Sequence, residues 1–215
     1  MPSPIKTIDY YYSTRSNFTY LGAARLNSLA QKYGWRIVHR PILLSVIMPP
    51  IGGLPFDARP TMLRNYAMND ALRWAEHLGI SLQREPVYHD GPVELPSGIV
   101  IAGQRAVNRG EVGNIDLLSL KVVEALWRDD RDIADAAVIE DLCQQAGFVD
   151  PKSLISEALS PAVQAELERN CREAIIRGVI GAPTYFVEGE NFYGQDRLEF
   201  VERALQKQSH AKKTL

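Results

Sequence analysis

A proline preceded by two small residues stands directly before a short apolar run near the C-terminal end of this chain. The segment begins Gly181-Ala182-Pro183-Thr184 and continues over 184–188 with aromatic and β-branched residues. A turn and a second short run over 191–194 follow, so the sequence predicts two strands at this end of the chain. The proline itself has two open interpretations. It is either an ordinary entry into a strand or a main-chain site that receives a peptide as an added strand.

The N-terminal end of the chain has the pattern of a strand, a helix and a second strand. Residues 5–12 and 35–42 are runs rich in aromatic and β-branched residues, as is typical of strands. Between them the pattern predicts a helix that Gly34 ends. Its apolar face contains Leu26, Leu29, Ala30 and Tyr33. This order predicts a right-handed βαβ unit.

Ser16 is predicted to lie at the N-terminus of that first helix. A hydroxyl at this position commonly caps free main-chain N–H groups. A helix N-terminus also favours an anion, such as a bound thiolate. The sequence therefore leaves two roles open for Ser16, that of a cap and that of a residue that stabilises a sulfur anion.

The long middle of the chain shows helical rather than strand patterns. The stretch 94–101 is predicted to be irregular because it contains Pro96 and Gly98. A last helix is expected over 196–205. Helices are predicted over 64–78, over 102–127 with an interruption at Gly110 and Gly113, from 135 or 136 to 147, and from Pro161 to about 177 with Ser160 as N-cap.

These motifs together resemble the 2-hydroxychromene-2-carboxylate isomerases and the kappa-class glutathione transferases, both in the thioredoxin-fold branch of the periplasmic disulfide oxidoreductases. The similarity covers nearly the whole chain. The family's Ser-Pro-Tyr-Ser-Tyr-Leu stands here as Ser16-Asn17-Phe18-Thr19-Tyr20-Leu21, its aromatic middle segment as 125–135, and its C-terminal motifs as 181–184 and 194–198.

The resemblance implies an α/β thioredoxin-like fold with an inserted all-helical domain. We expect a discontinuous thioredoxin-like domain over 1–44 and 179–215 and the inserted helical domain over 45–178. The sheet is expected to have four strands of mixed direction. The peptide bond before Pro183 is expected to be cis, as is usual at this place in thioredoxin-like folds.

Composition argues against several other classes of protein. The net charge of −2 gives no reason to expect nucleic acid or an anionic membrane as a partner. No apolar run approaches the length of a membrane span, and residues 1–4 do not look like the start of a secretory signal, so we expect a cytoplasmic protein. Cys143 and Cys171 form no C-x-x-C pair and are expected to be inert core thiols, and no His/Cys cluster has metal-ligand spacing.

Glutathione is the cofactor that the resemblance implies, because a family member without a cysteine pair must borrow a thiol. Its peptide would pair with the main chain at Ala182 and Pro183, and its γ-glutamyl end would reach Gln195 and Asp196. The alternative for Asp196 is a cap on the last helix. The glutathione thiol would then point at Ser16, whose hydroxyl would lower the thiol pKa.

The implied reaction converts 2-hydroxychromene-2-carboxylate to trans-o-hydroxybenzylidenepyruvate by reversible addition of the glutathione thiolate. Arg59 and Arg64 are candidates to bind the substrate carboxylate and Tyr66 to line its pocket, although each could be an ordinary surface or core residue. The family is commonly dimeric, so we expect a homodimer. Departures from the family near the site are Asn17 in place of proline and a loop over 49–56 without the family's asparagine. They leave two alternatives: a kappa-like transferase or peroxidase acting on small electrophiles, or a binding protein that has lost the thiol site.

Overall fold

The computed structural model of the protein describes residues 6–54 and 56–210. Its sheet has four strands in the order β2-β1-β3-β4. The strands β1 and β2 are parallel, whereas β1 with β3 and β3 with β4 are antiparallel. The predicted mixed sheet is therefore confirmed. The strands are β1 (Thr7–Tyr12), β2 (Arg36–Pro41), β3 (Thr184–Val187) and β4 (Glu190–Tyr193).

Every regular element that the structure describes between β2 and β3 is helical. None of the helices in the described residues is both long and apolar enough to span a membrane. The helices are α1 (Asn17–Tyr33), α2 (Leu44–Ile47), α3 (Thr61–Leu78), α4 (Glu94–Asn108), α5 (Ile115–Trp127), α6 (Ala136–Gln145), α7 (Pro151–Ala158), α8 (Pro161–Ile176) and α9 (Leu198–His210), with 3₁₀ turns at Pro49–Ile51, Phe56–Ala58 and Gln195–Arg197.

The helix boundaries follow the capping signals in the sequence. Gly34 ends α1 in the left-handed conformation, with φ 67°, and its N–H bonds the last carbonyls of the helix. Ser160 caps α8 by accepting the N–H of Val163, and Pro161 occupies the first helical position, where a missing N–H costs nothing. The predicted interruption between α4 and α5 is confirmed at Gly110 and Gly113.

The predicted irregular stretch over 94–101 is wrong, because α4 begins at Glu94. Pro96 lies in the first turn of this helix, where main-chain N–H groups have no partner within the helix and proline is tolerated. Gly98 is buried, and a Cβ there would clash with the carbonyl oxygen of Ala158. The glycine therefore marks a close helix contact rather than a loop. The sequence patterns also missed α7 altogether.

A stack of aromatic rings forms the core between the sheet and α1. Tyr10 stacks on Tyr12 with ring centroids 4.2 Å apart, and on Tyr185 at 5.3 Å. All three side chains are buried. Such stacking supplies a large apolar contact area in the centre of the fold.

A buried polar network joins the sheet to α5. His39 Nε2 lies 2.8 Å from Asp116 Oδ1, and its Nδ1 lies 3.1 Å from the Tyr12 hydroxyl. The same hydroxyl lies 2.6 Å from Ser119 Oγ. Because both ring nitrogens of His39 have partners, this buried histidine holds helices and sheet together.

Candidate functional site

A tight turn after β1 places Ser16 at the start of α1. The N–H of Ser16 bonds the carbonyl of Ser13 at 3.1 Å, and the Ser13 hydroxyl accepts the N–H of Arg15 at 3.3 Å. Ser16 has extended backbone angles, and its Oγ accepts the N–H of Thr19 at 3.3 Å. The predicted cap is therefore confirmed.

The N-terminus of α1 keeps donors that an anion can use. Its first turn holds no acidic residue. The side chain of Asn17 accepts the N–H of Phe18 at 2.8 Å. Within the part of the chain that the structure describes, no acceptor bonds the hydroxyl hydrogen of Ser16 or the N–H of Asn17. Both donors stand at the positive end of the helix dipole.

The loop before β3 lies at the same end of the sheet as the Ser16 turn. The Ala182–Pro183 peptide bond is cis, as predicted. Tyr11, near the end of β1, pairs with Thr184, the first residue of β3. Because these strands are antiparallel, the segment that follows β1 and the segment that precedes β3 meet at one edge. The Gly194 N–H bonds the Pro183 carbonyl at 2.9 Å and ties β4 to this loop.

The main chain of Ala182 offers an unused donor and acceptor. No hydrogen bond from the described residues reaches its N–H or C=O. Its neighbour Gly181 lies under the ring of Tyr193, where a Cβ would approach the ring atoms to 2.7–2.9 Å. Glycine at 181 therefore allows the ring to cover the loop, and Tyr193 remains half exposed beside it.

Gln195 and Asp196 follow this loop in the 3₁₀ turn before α9, but their side chains differ. The Gln195 side chain is buried against α1, and its Oε1 accepts from Arg25 Nη1 at 2.8 Å. Its Nε2 is buried and has no partner in the described residues. The Asp196 carboxylate is partly exposed and accepts from Arg197 at 2.8 Å. It bonds no main-chain N–H of the described residues, so it does not cap α9.

The three predicted substrate residues lie in and after the loop that leads to α3. The Nε of Arg59 donates to the carbonyl of Leu54 at 3.0 Å, and Arg64 donates weakly to Thr61 at 3.4 Å. Tyr66 is 65% exposed and is not part of the core. No contact among the described residues joins these three side chains to Ser16 or to the Ala182–Pro183 loop.

The structure adds a cluster that sequence patterns did not identify. Arg15 Nη2 lies 3.5 Å from Asp90 Oδ1, and His89 Nδ1 lies 2.9 Å from the same oxygen. The His89 ring packs edge-on against Phe56 and Trp127. The indole nitrogen of Trp127 is buried and unpartnered in the described residues. The only signal in the sequence was the adjacent His-Asp pair in a loop, which is too common to be specific.

Neither cysteine lies in the Ser16 turn or in the Ala182–Pro183 loop, although Cys171 belongs to the same buried apolar cluster as Ala182. Cys143 on α6 and Cys171 on α8 are buried, unpaired thiols. Burial raises the pKa of both, that of Cys143 to about 12, so the thiolate that disulfide chemistry requires is scarce. The described residues contain no group of three or more metal-ligating side chains. The predicted core position of both thiols is confirmed by their burial.

The fold and the site together define a thioredoxin-like protein that has a serine turn and a cis-proline loop at the same end of the sheet and no Cys-x-x-C pair. The chain belongs to the family of the DSBA-like thioredoxin domain, whose model matches residues 7–206.

Individual relatives agree with this assignment. A 2-hydroxychromene-2-carboxylate isomerase of Pseudomonas sp. (strain C18) is 31% identical over 94% of this chain and 91% of that protein. The solved structure of a 2-hydroxychromene-2-carboxylate isomerase superposes with a TM-score of 0.78 at 25% identity, over 97% of this chain and 98% of the other. The cytosolic disulfide reductase DsbM from Pseudomonas aeruginosa, solved with GSH, superposes with a TM-score of 0.67 at 16% identity, over 97% and 100% of the two chains.

Proposed function

We propose that this protein is a glutathione-dependent isomerase that acts on 2-hydroxychromene-2-carboxylate or a close aromatic analogue. The observation that carries the proposal is that the Ser16 turn and the cis Ala182–Pro183 loop lie at one edge of the sheet, in a chain that has no Cys-x-x-C pair and whose two thiols are buried. A thiol must come from outside such a site. The full-length similarity to named isomerases supports the choice of reaction.

Glutathione would bind along the loop before β3. The N–H and C=O of Ala182 would pair with its main chain as an added strand does. The partly exposed carboxylate of Asp196 would accept from the α-ammonium group of the γ-glutamyl end. Since the Gln195 side chain is bonded to Arg25, we propose that Gln195 acts mainly by anchoring this turn to α1.

The start of α1 would stabilise the glutathione thiolate. The Ser16 hydroxyl has one hydrogen and two lone pairs, so it can accept the Thr19 N–H and donate to sulfur at the same time. The Asn17 N–H adds a second donor that proline, usual at this position in the family, would lack. Donors to the charged form lower the thiol pKa and so raise the thiolate fraction at neutral pH. The thiolate is the nucleophile of the proposed reaction.

Arg59 is the better of the two candidates to bind the substrate carboxylate. It directly follows the Phe56–Ala58 turn, and its N–H bonds the carbonyl of Phe56 at 3.1 Å. Phe56 packs against His89 in the cluster that reaches Arg15, the neighbour of Ser16. Among the described side chains, no acidic group forms an ion pair with Arg59.

We also propose that the protein is a homodimer. The outer face of α3 exposes Met62, Leu63 and Tyr66, of which Met62 is 80% exposed. A second copy of the chain would cover this apolar surface on the helical part of the fold. Sedimentation velocity at about micromolar concentration tests this proposal, and a purely monomeric protein would contradict it.

The direct test is to incubate the protein with glutathione and 2-hydroxychromene-2-carboxylate and to follow the ultraviolet spectrum. We expect conversion to trans-o-hydroxybenzylidenepyruvate only when glutathione is present. Conversion of other small electrophiles without isomerisation would favour the kappa-like transferase. Absence of retention on a glutathione-affinity column would favour a binding protein without the thiol site.

A further inference from the structure

We propose that His89 is a catalytic residue that moves the proton during opening of the substrate ring, and that Asp90 is its positioning residue. This role rests on the proposed isomerase function and extends it to a residue outside the glutathione site. It is carried by the cluster of Arg15, His89 and Asp90 with the rings of Phe56 and Trp127.

The contacts of His89 fix both its tautomer and its orientation. An ionised carboxylate only accepts hydrogen bonds, so the contact of 2.9 Å between Nδ1 and Asp90 Oδ1 assigns a hydrogen to Nδ1. The neutral ring then has its lone pair on Nε2. Phe56 and Trp127 pack edge-on against the ring, with centroids 5.6 and 5.3 Å away. The imidazole is therefore held with its basic nitrogen directed away from Asp90.

The cluster borders the serine turn. Asp90 Oδ1 accepts from His89 and also lies 3.5 Å from a guanidinium nitrogen of Arg15, the residue directly before Ser16. The other histidines with described side chains lack this arrangement. His39 is buried, with both ring nitrogens occupied, and His77 is exposed and packs against Trp74 without a carboxylate partner.

The chemistry of the named substrate requires such a group. In a 2-hydroxychromene the C2 hydroxyl and the ring oxygen share one carbon, so ring opening is the collapse of a cyclic hemiketal. Nε2 of His89 takes the hydroxyl proton, and the O–H electron pair forms the C=O bond. The bond between C2 and the ring oxygen breaks, and its pair goes to the phenolate oxygen. The imidazolium then returns the proton to that oxygen, so no atom or electron is gained or lost.

One nitrogen can serve both transfers because the two oxygens are bonded to the same carbon. The phenol is released as the ring opens, and the carbon–carbon bond that must rotate is then outside a ring. Addition of the glutathione thiolate follows at the Ser16 end of the site. His89 thus serves ring opening, and the thiolate serves the rotation about the carbon–carbon bond.

The test compares His89→Gln with His77→Gln in the isomerisation assay with glutathione. His77 is the matched control, because it also packs edge-on against a tryptophan, with centroids 5.6 Å apart. Proton transfer by a positioned side chain typically contributes about 10²- to 10⁴-fold, so we expect kcat of His89→Gln to fall at least about 100-fold. We expect His77→Gln to retain the wild-type kcat. Equal activity of the two variants would overturn the proposal.

Chemical rescue separates catalysis from packing. In His89→Ala, added imidazole is expected to restore part of kcat, which a packing role would not allow. Loss of activity without any rescue assigns His89 to packing and overturns the proposal. If the His89 variants do not fold, as judged by circular dichroism, Asp90→Asn carries the test, since the Asp90 side chain is 85% exposed. It is expected to remove part of the about 10²- to 10⁴-fold that positioned proton transfer contributes to kcat, and an unchanged kcat counts against the proposal.

The wild-type protein distinguishes this inference from the proposed function. Active wild type with fully active His89 and Asp90 variants overturns the role of His89 and leaves the isomerase function standing. Wild type that binds glutathione but does not convert the chromene overturns both.

Discussion

The Oγ of Ser16 accepts the main-chain N–H of Thr19 at 3.3 Å, while its own hydrogen bonds no acceptor in the described residues. From sequence, capping and thiolate stabilisation were competing roles for this serine. The two roles would use different parts of one hydroxyl group, because the cap occupies a lone pair and a thiolate would accept a hydrogen bond from the hydroxyl hydrogen. Ser16 can therefore cap α1 and donate a hydrogen bond to a thiolate at the same time.

Ser16→Ala is expected to lower both activity and stability. Loss of a hydrogen bond to a charged sulfur corresponds to about 1.5–3 kcal/mol, so we expect a fall of about 10- to 100-fold in rate and a raised pKa of bound glutathione. Loss of the cap costs about 1 kcal/mol of unfolding free energy. Ser160→Ala is the matched control, since it removes an equivalent cap on α8. Kinetics, thiolate absorbance against pH and melting temperature are measured for both variants. If Ser16→Ala and Ser160→Ala have the same activity and the same pKa of bound glutathione, Ser16 is only a cap.

Arg59→Ala is expected to raise KM for the carboxylate substrate with little change in kcat. A hydrogen bond to a charged group is worth about 1.5–3 kcal/mol, which corresponds to about 10- to 100-fold in KM. Arg73→Ala removes an exposed arginine that pairs with Asp70 on α3 and serves as the control. Steady-state kinetics of both variants and of Arg64→Ala show which arginine binds substrate. A KM for Arg59→Ala equal to that of the control would contradict the assignment.

The Cys143 thiol is expected to make folding less favourable in alkali. Burial, with a smaller effect of Glu140, raises its pKa from 9.0 to about 12. The thiol stays protonated in the folded protein while it ionises in the unfolded chain. Its stabilising effect is thus complete below the unfolded pKa and is lost as pH rises toward the folded pKa. One such group changes the free energy of unfolding by about 1.4 kcal/mol per pH unit.

Cys143→Ala isolates this contribution from the other groups that titrate in alkali. Urea unfolding of both proteins is measured between about pH 9 and about pH 11. We expect the stability of the wild type to fall more steeply than that of the variant. Parallel slopes would show that the thiol ionises as readily in the folded protein as in the unfolded chain.

Gly22→Ala is expected to destabilise the protein, although alanine is normally the better helix former. A Cβ at this position would lie 2.9 Å from the Tyr185 hydroxyl and 3.0 Å from Gln195 Cβ. Overpacking of this kind costs about 1–3 kcal/mol. Tyr185→Phe removes the hydroxyl, which is buried without a partner in the described residues. Denaturant unfolding of the double variant is expected to recover part of the loss, and a stabilised single variant would contradict the contact.

Much of the scaffold could be predicted because its signals are local. Gly34, Ser160 and Pro161 set helix ends through capping geometry that depends only on adjacent residues. The four strands were placed to within two residues by runs of aromatic and β-branched side chains. The prediction of an irregular stretch over 94–101 was wrong because the deciding contact is not local. In the sequence, Gly98 looks like a helix breaker. In the structure, its lack of a side chain leaves room for the carbonyl of Ala158, which lies 60 positions away along the chain.

The sequence by itself determined the four strands and most of the helices, the cap at Ser16, the absence of a Cys-x-x-C pair and, through its resemblance, the cis-proline loop. These features depend on geometry between neighbouring residues and on motifs that can be read from a single sequence. Only the tertiary structure decided that Gln195 turns inward to Arg25, that Tyr66 lies on the surface, and that His89 and Asp90 reach the neighbour of Ser16. Such contacts join residues up to 170 positions apart. They are fixed by packing between elements, which no local pattern encodes.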